Sequence, residues 1–168
     1  MKKFVIVLVL FTIIAAGTVF ADHPSGLGIG VQGGGSGSWG GGFGFNNGGA
    51  VSLKLPSLPI FWAARLDIWK DYFYLGVSGD KYLMDNPLVK DIGLNWYLGV
   101  GLGVDIGIGD PLGIGVAARL PVGLSWQPFP LLEIYLQVVP QLGVAILPTF
   151  HFPAGGWGAD LGLRLWFN

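Results

Sequence analysis

Few groups in this 168-residue chain are equipped for chemistry: two histidines, His23 and His151, no cysteine, and a scatter of carboxylates and guanidinium groups. A hydrolytic or transfer centre needs a nucleophile, a base and an orienting acid brought into mutual reach. His151 has the side chain of a base, but no nucleophile and acid are spaced with it, and Ser25 and Ser36 lie in glycine-rich sequence, so no catalytic residue is assigned. The missing cysteine excludes thiolate catalysis, disulfides, Cys-ligated zinc and a thioether lipid anchor. The GIGVQGGGSG run at Gly28–Gly37 imitates the glycine spacing of a phosphate loop, yet neither a lysine nor a helix follows it. Asp105, Glu133 and Asp160 offer hard oxygen ligands, but arginines share their face, which predicts ion pairing and neither a metal nor a cofactor.

Charged residues make up only 11% of the chain, and nine Lys/Arg nearly cancel ten Asp/Glu, so there is no basic field to hold nucleic acid. At the same time 52% of the residues are hydrophobic, too many for an ordinary soluble surface.

The elements that carry these residues have a period of two. From Leu94 to Ile108 every second residue is large and apolar (Leu94, Trp96, Leu98, Val100, Leu102, Val104, Ile106, Ile108), and between them stand Asn95, Tyr97, Asp105 and glycines. That is a strand, with no helical fit. The pattern resumes after Gly109-Asp110-Pro111 through Trp126, again from Leu132 to Ile146, and again from Trp157 to Phe167. Less regular strands are read at Leu27–Gln32, Val51–Leu55, Ile60–Ile68 and Phe73–Met84, giving eight. Pro121 and Pro140 fall inside strands and predict a bulge or bend at each.

The minor face of these strands is mostly Gly, Ala and Ser with single charges, too sparse to coat a soluble surface, whereas no charge breaks the Leu/Val/Ile face over four strands. Turning the small face inward places Lys54, Arg65, Arg119 and Arg164 inside with Asp67, Asp80, Asp105, Glu133 and Asp160. An eight-stranded barrel is only wide enough to be filled by side chains, so these nine residues are expected to form a structural, salt-bridged plug with Arg119 at its centre, between Asp105 and Glu133. Trp62, Trp69, Tyr72, Tyr74, Trp96, Trp126, Trp157 and Trp166 are expected near strand ends, at headgroup level.

The N-terminus has the parts of an export signal: Lys2 and Lys3, the apolar run Phe4–Ala16, and Val19-Phe20-Ala21 with small residues where a signal peptidase reads. Residues 1–21 are read as a cleaved signal peptide and 22–168 as one domain: an all-β, closed, antiparallel, eight-stranded, up-and-down transmembrane barrel. With both termini on the periplasmic side, Gly33–Gly49 becomes a long surface loop, Pro56–Pro59 and Gln127–Pro130 periplasmic turns, and Lys70-Asp71 and Asp110-Pro111 short surface loops. The expected partners are outer-membrane lipid, the barrel-assembly machinery during insertion, and an external ligand met through the Gly33–Gly49 loop. The expected role is structural or surface-interacting, and the expected location is the outer membrane of a diderm bacterium. The alternatives are a narrow porin-like channel for small or apolar solutes and a secreted soluble lipid-binding barrel, the second requiring the Leu/Val/Ile face to point inward.

The C-terminal half, through ARLPVGLSW at Ala118–Trp126, LEIYLQVVPQ at Leu132–Gln141 and LGLRLWF at Leu161–Phe167, resembles a family of small outer-membrane barrels known from spirochaetes. The resemblance spans about the last 75 residues and implies an eight-stranded barrel without enzymatic activity. Barrel-assembly signals commonly end in an aromatic residue, whereas here Asn168 follows Phe167.

Overall fold

The computed structural model describes residues 23–167 and the backbone of Phe20–Ala21; the expected signal peptide otherwise lies outside the described residues. Eight strands account for nearly all of it. They are β1 (Leu27–Ser38), β2 (Phe43–Phe45 and Gly48–Lys54), β3 (Phe61–Trp69), β4 (Tyr72–Val89), β5 (Leu94–Ile108), β6 (Gly113–Arg119 and Val122–Phe129), β7 (Leu132–Leu147) and β8 (His151–Phe167). A 3-10 turn, Lys90–Ile92, joins β4 to β5 and ends on Gly93, whose φ of 68° is left-handed and open to glycine without strain.

Each strand pairs antiparallel with the next, and β8 returns to β1 in unbroken register from Gly156↔Ser38 to Phe167↔Leu27. The sheet is therefore a closed ring, from which Phe43–Phe45 projects as a segment paired with β1 alone among the described residues.

Burial is inverted relative to a soluble protein. Val31, Leu102, Leu136 and Leu161 are 51–59% exposed on the outer wall, while Glu133, Arg164 and Asp160 are at most 5% exposed within. The Leu/Val/Ile face thus points outward, against the soluble-barrel alternative. Among the described residues no helix is long and apolar enough to cross a bilayer.

The structure departs from the sequence reading at four places. Gly33–Gly49 is not a long loop: β1 runs on through Ser38, turns at Trp39–Gly40, and returns as Phe43–Phe45, with Asn46-Asn47 interrupting β2. Phe129 still belongs to β6, which shortens the turn expected at Gln127–Pro130. Pro121 and Pro140 produce no register shift; each occupies a hydrogen-bonded site, where Gly99 N donates to Pro121 O (2.8 Å) and Leu120 N to Pro140 O (3.0 Å). Each proline therefore loses one of two reciprocal bonds, and only the strand segment at Leu120-Pro121 is interrupted. Finally, Tyr72 and Tyr74 line the lumen and Trp166 is buried within it, whereas Trp62, Trp69 and Trp126 stand exposed.

Candidate functional site

The lumen has two storeys. The terminal mouth is the end that holds Leu27 and Phe167; the far mouth is the end that holds the Trp39 turn and the β7–β8 connection.

All nine charged residues assigned to the interior line it, but they form separate pairs rather than one network. Arg119 donates from Nε and one Nη to the two oxygens of Asp80, at 3.0 and 3.1 Å. Arg65 bonds Asp160, and Arg164 meets Glu133 at 2.7 Å. Arg119 is hydrogen-bonded to neither Asp105 nor Glu133 and is not the centre expected of it. The physical reason is register: Gly101 lies opposite both Asp80 and Arg119 and, having no side chain, lets the two meet across β5. Lys54, Asp67 and Asp105 stay outside these pairs. Lys54 Nζ donates to Leu55 O at 2.8 Å, and Asp67 Oδ1 is buried without a partner among the described residues.

Toward the far mouth Asp67, Asp105, Arg65, Arg119, Tyr72 and Tyr74 border a cavity of about 240 Å³. Below it, hydrogen bonds cross the lumen: Tyr97 OH donates to Gln137 Oε1 (3.2 Å), Gln137 Nε2 to Asp160 Oδ2 (3.4 Å), and Tyr135 OH to Gln32 Oε1 (2.6 Å). Glycines make room for the rings that span this waist. A Cβ on Gly162 would collide with the ring of Tyr135, and one on Gly123 would meet that of Tyr97 at 2.5 Å.

The terminal mouth holds further groups that the sequence reading did not assign to the site. Phe61, Tyr82 and Tyr97 stack at 4.1 and 4.3 Å between centroids, and Trp166 donates from Nε1 to Glu133 Oε2 at 2.9 Å. His23 enters this cluster from the N-terminal segment, with Nδ1 on Asp85 and Nε2 at 2.9 Å from Glu133 Oε1. Tyr97 and Tyr135 were legible as inward residues from strand parity. Asp85 was not, because a register shift between Tyr82 and Met84 changes the parity of β4 beyond it.

Both nitrogens of His23 are held by carboxylates, and no hydroxyl is bonded to it, so the ring has no activated nucleophile beside it. Among the described residues, no cluster of His, Asp or Glu has metal-binding geometry.

A closed eight-stranded ring with an apolar exterior and a charged interior defines a β-barrel of the outer-membrane type. The fold is similar to that of Neisserial surface protein A (TM-score 0.52, 12% identity, 84% of this chain and 96% of that one). The N-terminal β-barrel domain of Pseudomonas aeruginosa OprF also aligns (TM-score 0.48, 16% identity, 83% of this chain and 97% of that one). At such identities the likeness is one of fold. No protein-family model and no curated protein matches the chain.

Proposed function

We propose that this chain is an integral outer-membrane protein of a diderm bacterium with a structural or surface-interaction role, its lumen closed by side chains. The observation that carries the reading is the inversion of burial, carboxylates and guanidinium groups inside and aliphatic side chains outside, which is stable only when lipid covers the wall. In this reading residues 1–21 are removed on export, the assembly machinery inserts residues 22–168, and the terminal mouth faces the periplasm. The arm formed by Trp39, Phe43 and Phe45 then stands at the outer surface as the place to meet an external ligand, all three residues being exposed. The spirochaete-type affinity rests on the three C-terminal motifs alone.

The test pairs cell fractionation with gel mobility of the purified protein in detergent. Recovery with outer membranes and a faster unboiled band support the reading; a soluble protein with no heat-dependent shift would sink it. The second reading, a narrow conduit, draws on the cavity of about 240 Å³. Planar-bilayer recording separates the two: steady conductance favours the conduit, a silent bilayer the closed barrel.

A further inference from the structure

Without the N-terminal segment, the Asp85 carboxylate at the terminal mouth has no bonded cation among the described residues. Asp85 and Glu133 are 1% and 0% exposed, and among the described residues Arg164 is the one arginine paired there, on Glu133. Lys54, the other cation nearby, gives its ammonium to the Leu55 carbonyl and pairs with neither carboxylate. Among the described residues nothing but His23 bonds the Asp85 carboxylate. A buried, ionised carboxylate left alone is strongly disfavoured, and a cationic donor on Asp85 stabilises its charged form.

The shape of the slot specifies the kind of cation. The His23 ring is 5% exposed at its side chain, with Asp85 on one nitrogen and Glu133 on the other. A ring bearing hydrogen on both nitrogens satisfies both contacts at once. Phe61, Tyr82 and Tyr97 stand 5.3, 5.2 and 5.9 Å from its centroid at 72–86° to its plane, and Trp166 stands at 6.2 Å. These four side chains pack around the imidazole and leave it little contact with solvent. His23 lies four residues before β1 and belongs to no strand of the ring, so it is a guest in the barrel rather than part of its wall.

We propose that the terminal mouth is a binding site for a flat organic cation with two opposed N–H donors, occupied in cis by the imidazole of His23, which thereby stoppers the barrel at that end. Removing the ring while keeping the wall leaves a vacant site that free imidazolium fills.

The experiment uses residues 22–168, the exported form in the proposed function, in detergent with His23→Gly, whose fold is verified by the heat-dependent mobility shift. Imidazole is titrated at mildly acidic pH, where it is a cation, and binding is read by saturation transfer from protein to imidazole protons. Pyrazole, of the same size but neutral, is the control. The expected result is saturable imidazole binding by the variant, roughly ten-fold weaker pyrazole binding, the margin between a charge-assisted and a neutral hydrogen bond, and little binding by the unsubstituted chain. No saturation in a folded variant, equal binding of pyrazole, or equal binding by the unsubstituted chain overturns the proposal. Should the variant lose its mobility shift, the unsubstituted chain decides, because it has only two histidines to resolve. Nitrogen-15 spectra are expected to show slowly exchanging hydrogens on both nitrogens of His23 and rapid exchange at exposed His151; a His23 ring that exchanges like His151 overturns it. Binding is read without a membrane, so it can fail while the outer-membrane reading stands, and the converse.

Discussion

Glu133 and Arg164 occupy directly opposed positions on β7 and β8, and their side chains meet at 2.7 Å with 1% and 2% of their surfaces exposed. Glu133 also accepts from Trp166 and faces His23, so one carboxylate ties together β7, β8 and the N-terminal segment. Removing its charge leaves Arg164 buried and unpaired. Glu133→Gln is expected to destabilise the barrel by about 3–5 kcal/mol, read as a lower temperature for loss of the fast-migrating band. A stability within error of the parent would show that the pair is not the anchor the geometry makes it.

Asp67 predicts the opposite sign. It is 4% exposed and Oδ1 has no partner among the described residues, so its charge is buried without a matching bond. Asp67→Asn is expected to leave stability unchanged or to raise it by about 1 kcal/mol. The same heating series run on both variants, with Asp67→Asn weakening the barrel as much as Glu133→Gln, would contradict the contrast.

Gly162 lies beneath the ring of Tyr135, which Gln32 holds at 2.6 Å. Because that ring is tethered, it cannot swing aside for a new methyl group. Gly162→Ala is expected to cost about 1–3 kcal/mol by overpacking. The paired variant Gly162→Ala with Tyr135→Leu should recover part of the loss, and an absence of recovery would mean that the strain lies elsewhere.

Leu136 lies on the outer wall between Leu124 and Leu161. Arginine there is expected to cost about 2–4 kcal/mol when the barrel is folded into lipid vesicles, falling toward zero for arginine at an interfacial position such as Phe167. Equal costs at the two positions would mean that the apolar band does not sit in a bilayer as drawn.

How far the sequence could be read depended on whether side chains carried the pattern. From Leu94 to Ile108 large and small residues alternate, so strand, outward face and inward Tyr97 and Asp105 all followed. In Gly33–Gly35 there is nothing to alternate, so the end of β1 could not be read there although its backbone pairs as regularly as any other. Asp85 was hidden for a different reason: one register shift moved it inside, and shifts leave no mark in a period-two count. Trp166, Tyr72 and Tyr74 were sorted by residue type toward the headgroups, whereas parity alone would have sent Trp166 inward with Arg164. His23 precedes any periodic element, and only its two distant carboxylate partners reveal its place.

The seam of the ring joins the first strand to the last, Leu27 to Phe167. During synthesis β1 therefore waits for its partner until almost the whole chain has been made, and until then two open strand edges with an oily face are presented to whatever surrounds them. A copy truncated before β8 keeps both edges open and has no smaller ring to fall back on.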